Sequence, residues 1–297
     1  MKIPVFTGAA TAIITPFFND KLDTEAYLRL LKLQAASDVS AVVVCGTTGE
    51  ASTLTRPERR ILYTLTRTYL NKKQKWIAGI GTNSTASSIE LAKEAEEYGA
   101  DALLAVTPYY NKCTQNGLIR HYTAIADSTN LPLILYTVPS RTGMDILPES
   151  CRILCQHPKI NGIKEASGSI SKAIEIRSVC GNEFHIWSGN DDQIVPMMSI
   201  GAKGVISVLS NLCPNKVSAL CKACIKNDYP LAAELQCKSI PLINALFSEV
   251  NPIPIKAALS ELRLCKNELR LPLTPMSTEK KEIMMKLLSN YLALPEE

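Results

Sequence analysis

Eight apolar segments that alternate with helical patterns predict an α/β fold, a closed (β/α)8 TIM barrel with a C-terminal helical extension. The alternation runs over about 210 residues, and strict β-then-α order implies parallel strands joined by crossover helices. Most segments are rich in Val, Ile, Leu and Ala and lack polar alternation, which is typical of strands covered on both faces. Eight such units fit a closed barrel better than an open sheet, and 297 residues suit one barrel domain.

The predicted strands are short apolar runs bounded by polar or turn-forming residues. In chain order they are Ala10–Ile14, Ala41–Cys45, Trp76–Ile80, Ala102–Val106, Leu133–Val138, Asn161–Lys164, His185–Ser188 and Gly204–Val208.

Helical patterns fill the intervals between these strands. Asp23 precedes the first helix, and Pro57 stands in the first turn of the second, where its missing N–H leaves no hydrogen bond unmade. The predicted helices of the barrel are Thr24–Ala36, Pro57–Leu70, Ser84–Tyr98, Gly117–Asp127, Pro148–Cys155, Ser169–Cys180 and Asp192–Ile200.

After Asn211 the alternation stops and only helical patterns follow. They are predicted at Pro214–Lys226, Leu231–Phe247, Pro252–Leu262 and Thr278–Leu292. No long Gly/Ser linker precedes them, so we expect the tail to pack against the barrel. The sequence therefore predicts a catalytic barrel domain at residues 1–212 and a helical extension at residues 213–297.

Composition and charge exclude several classes of protein. The chain is 46% hydrophobic and 20% charged, which excludes general disorder. Its net charge of +4 is spread without a basic block, so no nucleic-acid partner is expected. No apolar run reaches transmembrane length, and the segment Met1–Thr7 lacks the features of a signal peptide. We therefore expect a cytoplasmic protein with no membrane partner.

The ten cysteines are scattered from Cys45 to Cys265 in a chain that is large enough to fold without disulfides. We expect reduced, mostly buried thiols and no metal. Cys221 and Cys224 have the spacing of a redox or zinc pair, which keeps a redox or zinc protein as an alternative, although no second pair accompanies them.

Lys164 ends an apolar, strand-like run and is the strongest single candidate for chemistry. Lysine is rarely buried unless it is paired or functional. Desolvation favours its neutral form, and a neutral amine is a nucleophile for carbonyl carbon. The position therefore suggests Schiff-base chemistry.

A second candidate is the turn Gly46-Thr47-Thr48-Gly49-Glu50, which follows a predicted strand. In a barrel of this type, function gathers where strands end and loops begin. The glycines permit a tight turn, and the two hydroxyls with nearby backbone N–H groups can hold a carboxylate. The motif has no lysine after its glycines, so a nucleotide site is not expected.

Four further residues lie on the same predicted rim, where the strands end and the loops begin. Tyr136 ends a strand, where a tyrosine beside an amine nucleophile can move protons. Arg141 lies in a rim loop and suits bidentate binding of a carboxylate. Tyr109 and Tyr110 are loop aromatics, which often mark an interface or a site lid.

Taken together, these motifs resemble the signatures of the 4-hydroxy-tetrahydrodipicolinate synthase family, also called dihydrodipicolinate synthase. The matching segments run in order from near residue 7 to about residue 260. They are Gly46–Glu50, Tyr109–Asn111, Tyr136–Gly143, Gly162–Gly168, Gly204–Val208 and Asn251–Lys256.

The resemblance implies a class I aldolase-type lyase that condenses pyruvate with L-aspartate-4-semialdehyde to 4-hydroxy-tetrahydrodipicolinate, the first committed step of diaminopimelate and lysine biosynthesis. It implies a homotetramer built as a dimer of tight dimers. It also implies that no metal or organic cofactor takes part, since a lysine imine supplies the electrophilic activation.

The resemblance carries catalytic roles onto four residues. Lys164 matches the Schiff-base lysine and Tyr136 the tyrosine that shuttles protons. Thr47 matches the threonine that links two tyrosines in a relay. Tyr110 matches the second tyrosine of that relay, which the neighbouring subunit lends.

Binding roles fall on three others. Thr48, with nearby backbone N–H groups, matches the residue that holds the pyruvate carboxylate. Arg141 matches the arginine that binds the semialdehyde carboxylate at the site entrance. Ile206 matches the residue that lines the pyruvate pocket through its backbone carbonyl.

The resemblance implies that lysine-inhibited members use an acidic residue on the helix after the third strand and a histidine in the segment after the Gly-Thr-Thr-Gly-Glu turn. Here the helix position is occupied by Ser87, and the segment has no histidine but carries Arg56 and Arg59. A lost carboxylate and added cations both oppose binding of a cationic ligand. We therefore expect weak or absent inhibition by L-lysine.

Besides the redox or zinc alternative, two others stay open beside the synthase. One is N-acetylneuraminate lyase or another pyruvate-dependent aldolase of the same superfamily, from which Arg141 separates this chain because a short carboxylated aldehyde needs that cation. The other is a catalytically silent metabolite sensor, against which the intact set of Lys164, Tyr136, Thr47 and Tyr110 argues.

Overall fold

The computed structural model describes residues 2–294. Residue 1 and residues 295–297, the outer ends of the two predicted domains, lie outside the described residues. Eight parallel strands close into a barrel, which confirms the predicted fold. In chain order the barrel strands are β1 (Gly8–Ala12), β4 (Ala41–Val44), β5 (Lys75–Gly79), β6 (Ala102–Val106), β7 (Leu133–Thr137), β8 (Ile160–Glu165), β9 (His185–Ser188) and β10 (Gly204–Ser207).

The strands are fully or almost fully buried, as the absence of polar alternation in the sequence predicts. β1 pairs with β10 on one side and with β4 on the other, which closes the ring. The register between β7 and β8 sets Tyr136 beside Lys164. The two residues therefore belong to the same level of the barrel wall.

Helices surround the barrel and continue beyond it. Those between the strands are α1 (Thr24–Ala35), α2 (Arg56–Tyr69), α3 (Thr85–Glu97), α4 (Gln115–Asp127), α5 (Pro139–Thr142), α6 (Pro148–Leu154), α7 (Ile170–Cys180) and α8 (Ile194–Ser199). The C-terminal part consists of α9 (Pro214–Ile225), α10 (Tyr229–Leu246), α11 (Ile253–Glu261) and α12 (Thr278–Leu292).

The buried apolar residues form two clusters. The larger one lies between the strands and the helices and includes Leu62, Leu118 and Leu242. The smaller one fills the barrel interior and includes Ile134, Tyr136, Trp187 and Ile206. The β8–β9 register pairs Lys164 with Trp187, so Lys164 lies on the same inner face.

Short elements differ from the sequence prediction. The hairpin β2 (Phe17–Phe18) with β3 (Lys21–Leu22) and the four-residue helix α5 were not predicted, because so few residues carry no readable periodicity. α4 begins at Gln115 rather than Gly117, since Thr114 caps it by accepting a hydrogen bond from the Gly117 N–H. The segment Asp191–Gln193 is a 3₁₀ turn that precedes α8.

The C-terminal helices pack on one another and on the barrel. α12 packs against α10 and α11, and α9 packs against β1. The division of the chain at residue 212 stays a prediction. None of the helices within residues 2–294 has the length and apolar character needed to cross a bilayer.

Candidate active site

Lys164 lies near the C-terminal end of β8 and points into the barrel. It is only 7% exposed, and its Nζ lies 4.3 Å from the centroid of the Tyr136 ring. A Cβ atom added to Gly189 would come within 3.0 Å of Lys164 Cε and within 2.5 Å of Ala166 Cβ. Glycine at position 189 therefore leaves the room that the lysine side chain occupies.

The residue next to Lys164 faces the other way. Glu165 forms an ion pair with Lys172 of α7 at 3.0 Å, and Lys172 also contacts Asp145. Asp145 in turn accepts a hydrogen bond from Thr137 at 2.6 Å. This cluster neutralises Glu165 on the outer face of the barrel, so its carboxylate is satisfied without Lys164.

Asp191 is a buried carboxylate close enough to Lys164 to be affected by its charge. Its Oδ2 accepts hydrogen bonds from the N–H groups of Val208 and Leu209 at 2.9 and 3.0 Å. Burial raises the pKa of Asp191, while hydrogen bonds from Ser207 and the two amides, and the charge of Lys164, act against that rise. Asp191 thus fixes the loop that follows β10.

The turn after β4 holds Thr47 and Thr48. It is closed by backbone hydrogen bonds from Gly49 to Gly46 at 3.0 Å and from Glu50 to Thr47 at 3.1 Å. Thr48 is buried, and its Oγ1 accepts a hydrogen bond from Asn251 Nδ2 at 3.0 Å. The predicted carboxylate-binding turn is therefore tied to the C-terminal part of the chain.

Glu50, the last residue of the turn, makes a second tie to that part. Its carboxylate pairs with Lys256, and both side chains are at most 1% exposed. Lys256 also donates to the Glu268 carbonyl at 2.8 Å, and Glu50 accepts from the Arg270 N–H at 3.0 Å. Burial lowers the pKa of Lys256, and the Glu50 carboxylate opposes that shift.

A cavity of about 580 Å³ opens at this end of the barrel. Three of the predicted site residues, Thr47, Tyr136 and Arg141, line it. Lys164 adjoins it through its contact with the Tyr136 ring. The structure thus brings a phenol, a hydroxyl and a guanidinium to one cavity, with the Lys164 amine against the phenol ring.

Arg141 lies on α5 at the rim. Its backbone N–H donates to the Val138 carbonyl at 2.9 Å, and its Nη2 donates to the backbone carbonyl of Asn251 at 3.2 Å. The side chain is otherwise exposed. A guanidinium has five N–H donors, so most of them stay available for a substrate carboxylate.

Tyr110 does not join the other residues. It is 92% exposed with φ of +71°, and Tyr109, not Tyr110, lines the cavity of its own chain. Ile206 is fully buried on β10 in the inner cluster and lies opposite Ala10 of β1. Lys164, Thr48 and Ile206 are thus buried and do not line the cavity, whereas Tyr110 is exposed and stands apart from it.

The residues predicted to affect L-lysine binding line the same cavity. Arg56 pairs with Glu90 at 2.7 Å, whereas Arg59 is buried and donates to the carbonyls of Gly79 and Ala51 at 3.1 and 2.7 Å. Ser87 also lies in the lining. Both guanidinium groups are thus held in place within the wall.

Metal ligands do not gather anywhere in the described part of the chain. Within residues 2–294, no three His, Cys, Asp or Glu side chains are arranged so that they could hold a metal ion. Cys221 and Cys224 lie buried as free thiols on α9.

Sequence reasoning assigned no role to three residues that shape the site. Asn251 and Lys256 belong to the segment Asn251–Lys256, which was used only as part of the family resemblance. Gly189 directly follows β9 at the rim of the barrel. The signal for Lys256 was available: a lysine inside the apolar pattern of a predicted helix is the kind of cation that must be paired when it is buried.

Comparisons with known proteins show the family of the chain. A sequence model described as the Dihydrodipicolinate synthetase family matches residues 5–291. The 4-hydroxy-tetrahydrodipicolinate synthase of Geobacter sulfurreducens is 46% identical over 97% of this chain and 99% of its own length.

Two solved structures are similarly close. The dihydrodipicolinate synthase of Thermotoga maritima is 41% identical with a TM-score of 0.95, covering 98% of this chain and 100% of that one. The 4-hydroxy-tetrahydrodipicolinate synthase of Methylacidiphilum fumariolicum is 43% identical with a TM-score of 0.95, covering 97% and 96%.

Proposed function

Because the chain belongs to the dihydrodipicolinate synthetase family, we propose that the cavity beside Lys164 is where pyruvate and L-aspartate-4-semialdehyde are joined. The protein is a class I aldolase-type lyase that condenses these two substrates to 4-hydroxy-tetrahydrodipicolinate, the first committed step of diaminopimelate and lysine biosynthesis. The comparisons favour this activity over the N-acetylneuraminate lyase alternative, because relatives named 4-hydroxy-tetrahydrodipicolinate synthase match this chain over nearly their full length.

The observation that carries the proposed site is a nearly buried lysine at the mouth of a barrel. Lys164 is 7% exposed and lies against the Tyr136 ring. The neutral amine of a lysine attacks carbonyl carbon to form an imine, so a lysine in this position can bind a keto acid covalently. The adjoining cavity has room for small substrates and is lined by Thr47, Tyr136 and Arg141.

The first half of the reaction binds pyruvate covalently. Lys164 Nζ attacks the ketone carbon, and the carbonyl oxygen takes a proton to give a carbinolamine. Tyr136 supplies the proton with which that hydroxyl leaves as water, and an iminium remains. The iminium withdraws electrons, so the pyruvate methyl group loses a proton and becomes a nucleophilic enamine.

The second half forms the carbon–carbon bond. The enamine carbon attacks the semialdehyde aldehyde, whose oxygen takes a proton through Tyr136. The amino group of the second substrate then attacks the iminium carbon and closes the ring. Lys164 leaves as a free amine, which regenerates the enzyme.

The remaining roles concern binding and proton transfer. Thr48, with backbone N–H groups of its turn, holds the pyruvate carboxylate, and Arg141 holds the semialdehyde carboxylate. The Ile206 carbonyl lines the pyruvate pocket. Thr47 connects Tyr136 to Tyr110 of a second copy, which passes protons to solvent.

This relay requires an assembled protein. Tyr110 is almost fully exposed in the single chain and stands apart from its own cavity, which supports insertion into a neighbouring site. We infer a homotetramer built as a dimer of dimers, acting in the cytoplasm.

Borohydride reduction tests the site. Incubation with pyruvate and borohydride should add the mass of a reduced pyruvate imine to the peptide that contains Lys164. Lys164→Arg should abolish this trapping, whereas the matched control Lys203→Arg, at a lysine that precedes β10 in the chain, should leave it unchanged. Trapping at another lysine, or its absence, would contradict the proposed role.

A coupled assay tests the substrates. Turnover with pyruvate and aspartate semialdehyde, run beside N-acetylneuraminate cleavage, should be high for the first pair and negligible for the second. The reverse result would favour the sugar lyase, and no turnover with normal trapping would favour a metabolite sensor.

A further inference from the structure

One residue of the C-terminal extension contacts both of the groups that bind substrate carboxylates. We propose that Asn251 is a positioning residue, which aims the Thr48 hydroxyl at pyruvate and braces the Arg141 guanidinium. This inference rests on the proposed function and deepens it, because it explains how the two binding groups are held in a fixed relation.

The contact with Thr48 decides which way that hydroxyl donates. Asn251 Nδ2 donates to Thr48 Oγ1 at 3.0 Å, and both residues are buried, at 6% and 3% exposed. An amide nitrogen is a donor only, so the threonine oxygen acts as acceptor in this bond. The hydroxyl proton of Thr48 is thereby free to point at an anionic substrate oxygen.

The contact with Arg141 limits the motion of a long side chain. The backbone carbonyl of Asn251 accepts a hydrogen bond from Arg141 Nη2 at 3.2 Å. A free arginine side chain loses considerable rotamer entropy when it binds a ligand. Because one nitrogen of the guanidinium is already held, Arg141 loses less rotamer entropy when it binds the semialdehyde carboxylate.

Asn251 is itself well supported. Lys256, five positions further on, is fully buried and pairs with Glu50, which stands two positions after Thr48. The segments 46–50 and 251–256 are thus joined at two points. This double attachment gives Asn251 the rigidity that a positioning residue needs.

Asn251→Asp provides the sharpest test. A carboxylate accepts but cannot donate, so the Thr48 hydroxyl would turn its proton toward residue 251 and present a lone pair to pyruvate. The KM for pyruvate should rise on the order of tenfold or more, the value of a lost hydrogen bond to a charged group. The semialdehyde KM should stay near that of the wild type, because the backbone carbonyl is retained.

Asn244→Asp is the matched control. It makes the same change of charge on the exposed surface of α10 and should leave both KM values unchanged. A rise in pyruvate KM in this variant equal to that in Asn251→Asp would overturn the proposal, since charge alone would then explain the effect.

A double-mutant cycle tests the route through Thr48. Asn251→Leu, which is close to asparagine in shape, should raise the pyruvate KM in the wild type. In a Thr48→Val background it should add nothing, because the hydroxyl that it orients is gone. Additive effects would overturn the proposal, and far-UV circular dichroism establishes that each variant is folded.

The outcomes separate this inference from the proposed function. Loss of pyruvate-dependent borohydride trapping in the wild type would refute both. Normal trapping in the wild type, with an unchanged pyruvate concentration for half-maximal trapping in Asn251→Asp and Asn251→Leu, would refute the role of Asn251 alone.

Discussion

Glu50→Gln is expected to destabilise the protein strongly, because it removes one partner from a fully buried ion pair. The Lys256 and Glu50 side chains are 0% and 1% exposed. In the variant, the Lys256 ammonium would retain the Glu268 carbonyl at 2.8 Å and the face of Phe17, whose ring centroid lies 4.3 Å from Nζ. The amide oxygen of the introduced glutamine could still accept a hydrogen bond, but none of these neutral groups replaces the charge of a carboxylate.

Two estimates give the size of the loss in the free energy of unfolding. Breaking a buried ion pair by removing one partner costs about 3–5 kcal/mol. The lysine can also escape by losing its proton, and bringing an ordinary lysine from a pKa near 10.4 to neutrality at pH 7 costs about 5 kcal/mol. We therefore expect a loss of about 3–5 kcal/mol in the free energy of unfolding at pH 7.

Because Lys256 can lose its proton in the variant, the stability of the variant depends on pH in a characteristic way. Without Glu50, the pKa of Lys256 in the folded state falls further below that of the unfolded chain. The unfolded state then binds more protons between the two pKa values, so stability relative to the wild type rises with pH in that window. Between pH 7 and pH 9 the deficit should shrink, by at most about 1.4 kcal/mol per pH unit.

Urea unfolding followed by circular dichroism at pH 7, 8 and 9 measures these differences. Asp38→Asn is the matched control, because it breaks the ion pair with Lys222, whose two side chains are 63% and 54% exposed. That change should cost less than about 1 kcal/mol at every pH. A loss in Glu50→Gln no larger than in the control, or one that grows with pH, would refute the reasoning.

Four other outcomes can be measured directly. Tyr136→Phe should lower kcat by about 10²- to 10⁴-fold with unchanged circular dichroism, and near-normal turnover would exclude its role in proton transfer. Arg141→Ala should raise the semialdehyde KM by about 10- to 100-fold while leaving pyruvate trapping intact; an unchanged semialdehyde KM would contradict its role. L-lysine should inhibit weakly or not at all, because Ser87 offers no carboxylate to its amine; half-inhibition at micromolar concentration would contradict this. Hydrogen bonds from Arg270 lower the pKa of Glu58 to about 2, so the stability from this pair is complete above the ordinary glutamate pKa and is lost as pH falls toward 2. Urea unfolding at pH 5, 4 and 3 should show a smaller loss in Glu58→Gln than in the wild type, and parallel losses would count against the pair.

The sequence predicted the barrel well because burial on both faces leaves an unmistakable pattern. Each barrel strand is an apolar run, and each was located to within about two residues of its observed position. The hairpin Phe17–Leu22 and the helix Pro139–Thr142 were missed, since elements of two to four residues have no period to detect.

The candidate site was predictable for a related reason. In a parallel barrel all strands end on one rim, so polar residues at strand ends must converge even when they are far apart in the chain. This rule located Lys164, Tyr136 and Thr47. It says nothing about residues that follow the last strand, and a separation of 203 positions between Thr48 and Asn251 leaves no local signal of their contact.

These contacts change the meaning of the predicted boundary at residue 212. A barrel without the C-terminal extension would lack Lys256, the cation that neutralises Glu50, and Asn251, the amide that meets Thr48. The turn that is proposed to hold pyruvate would then end in an uncompensated carboxylate, which repels an anionic substrate. The extension therefore holds the turn that is proposed to bind pyruvate, and we infer that the barrel alone would not form a working site.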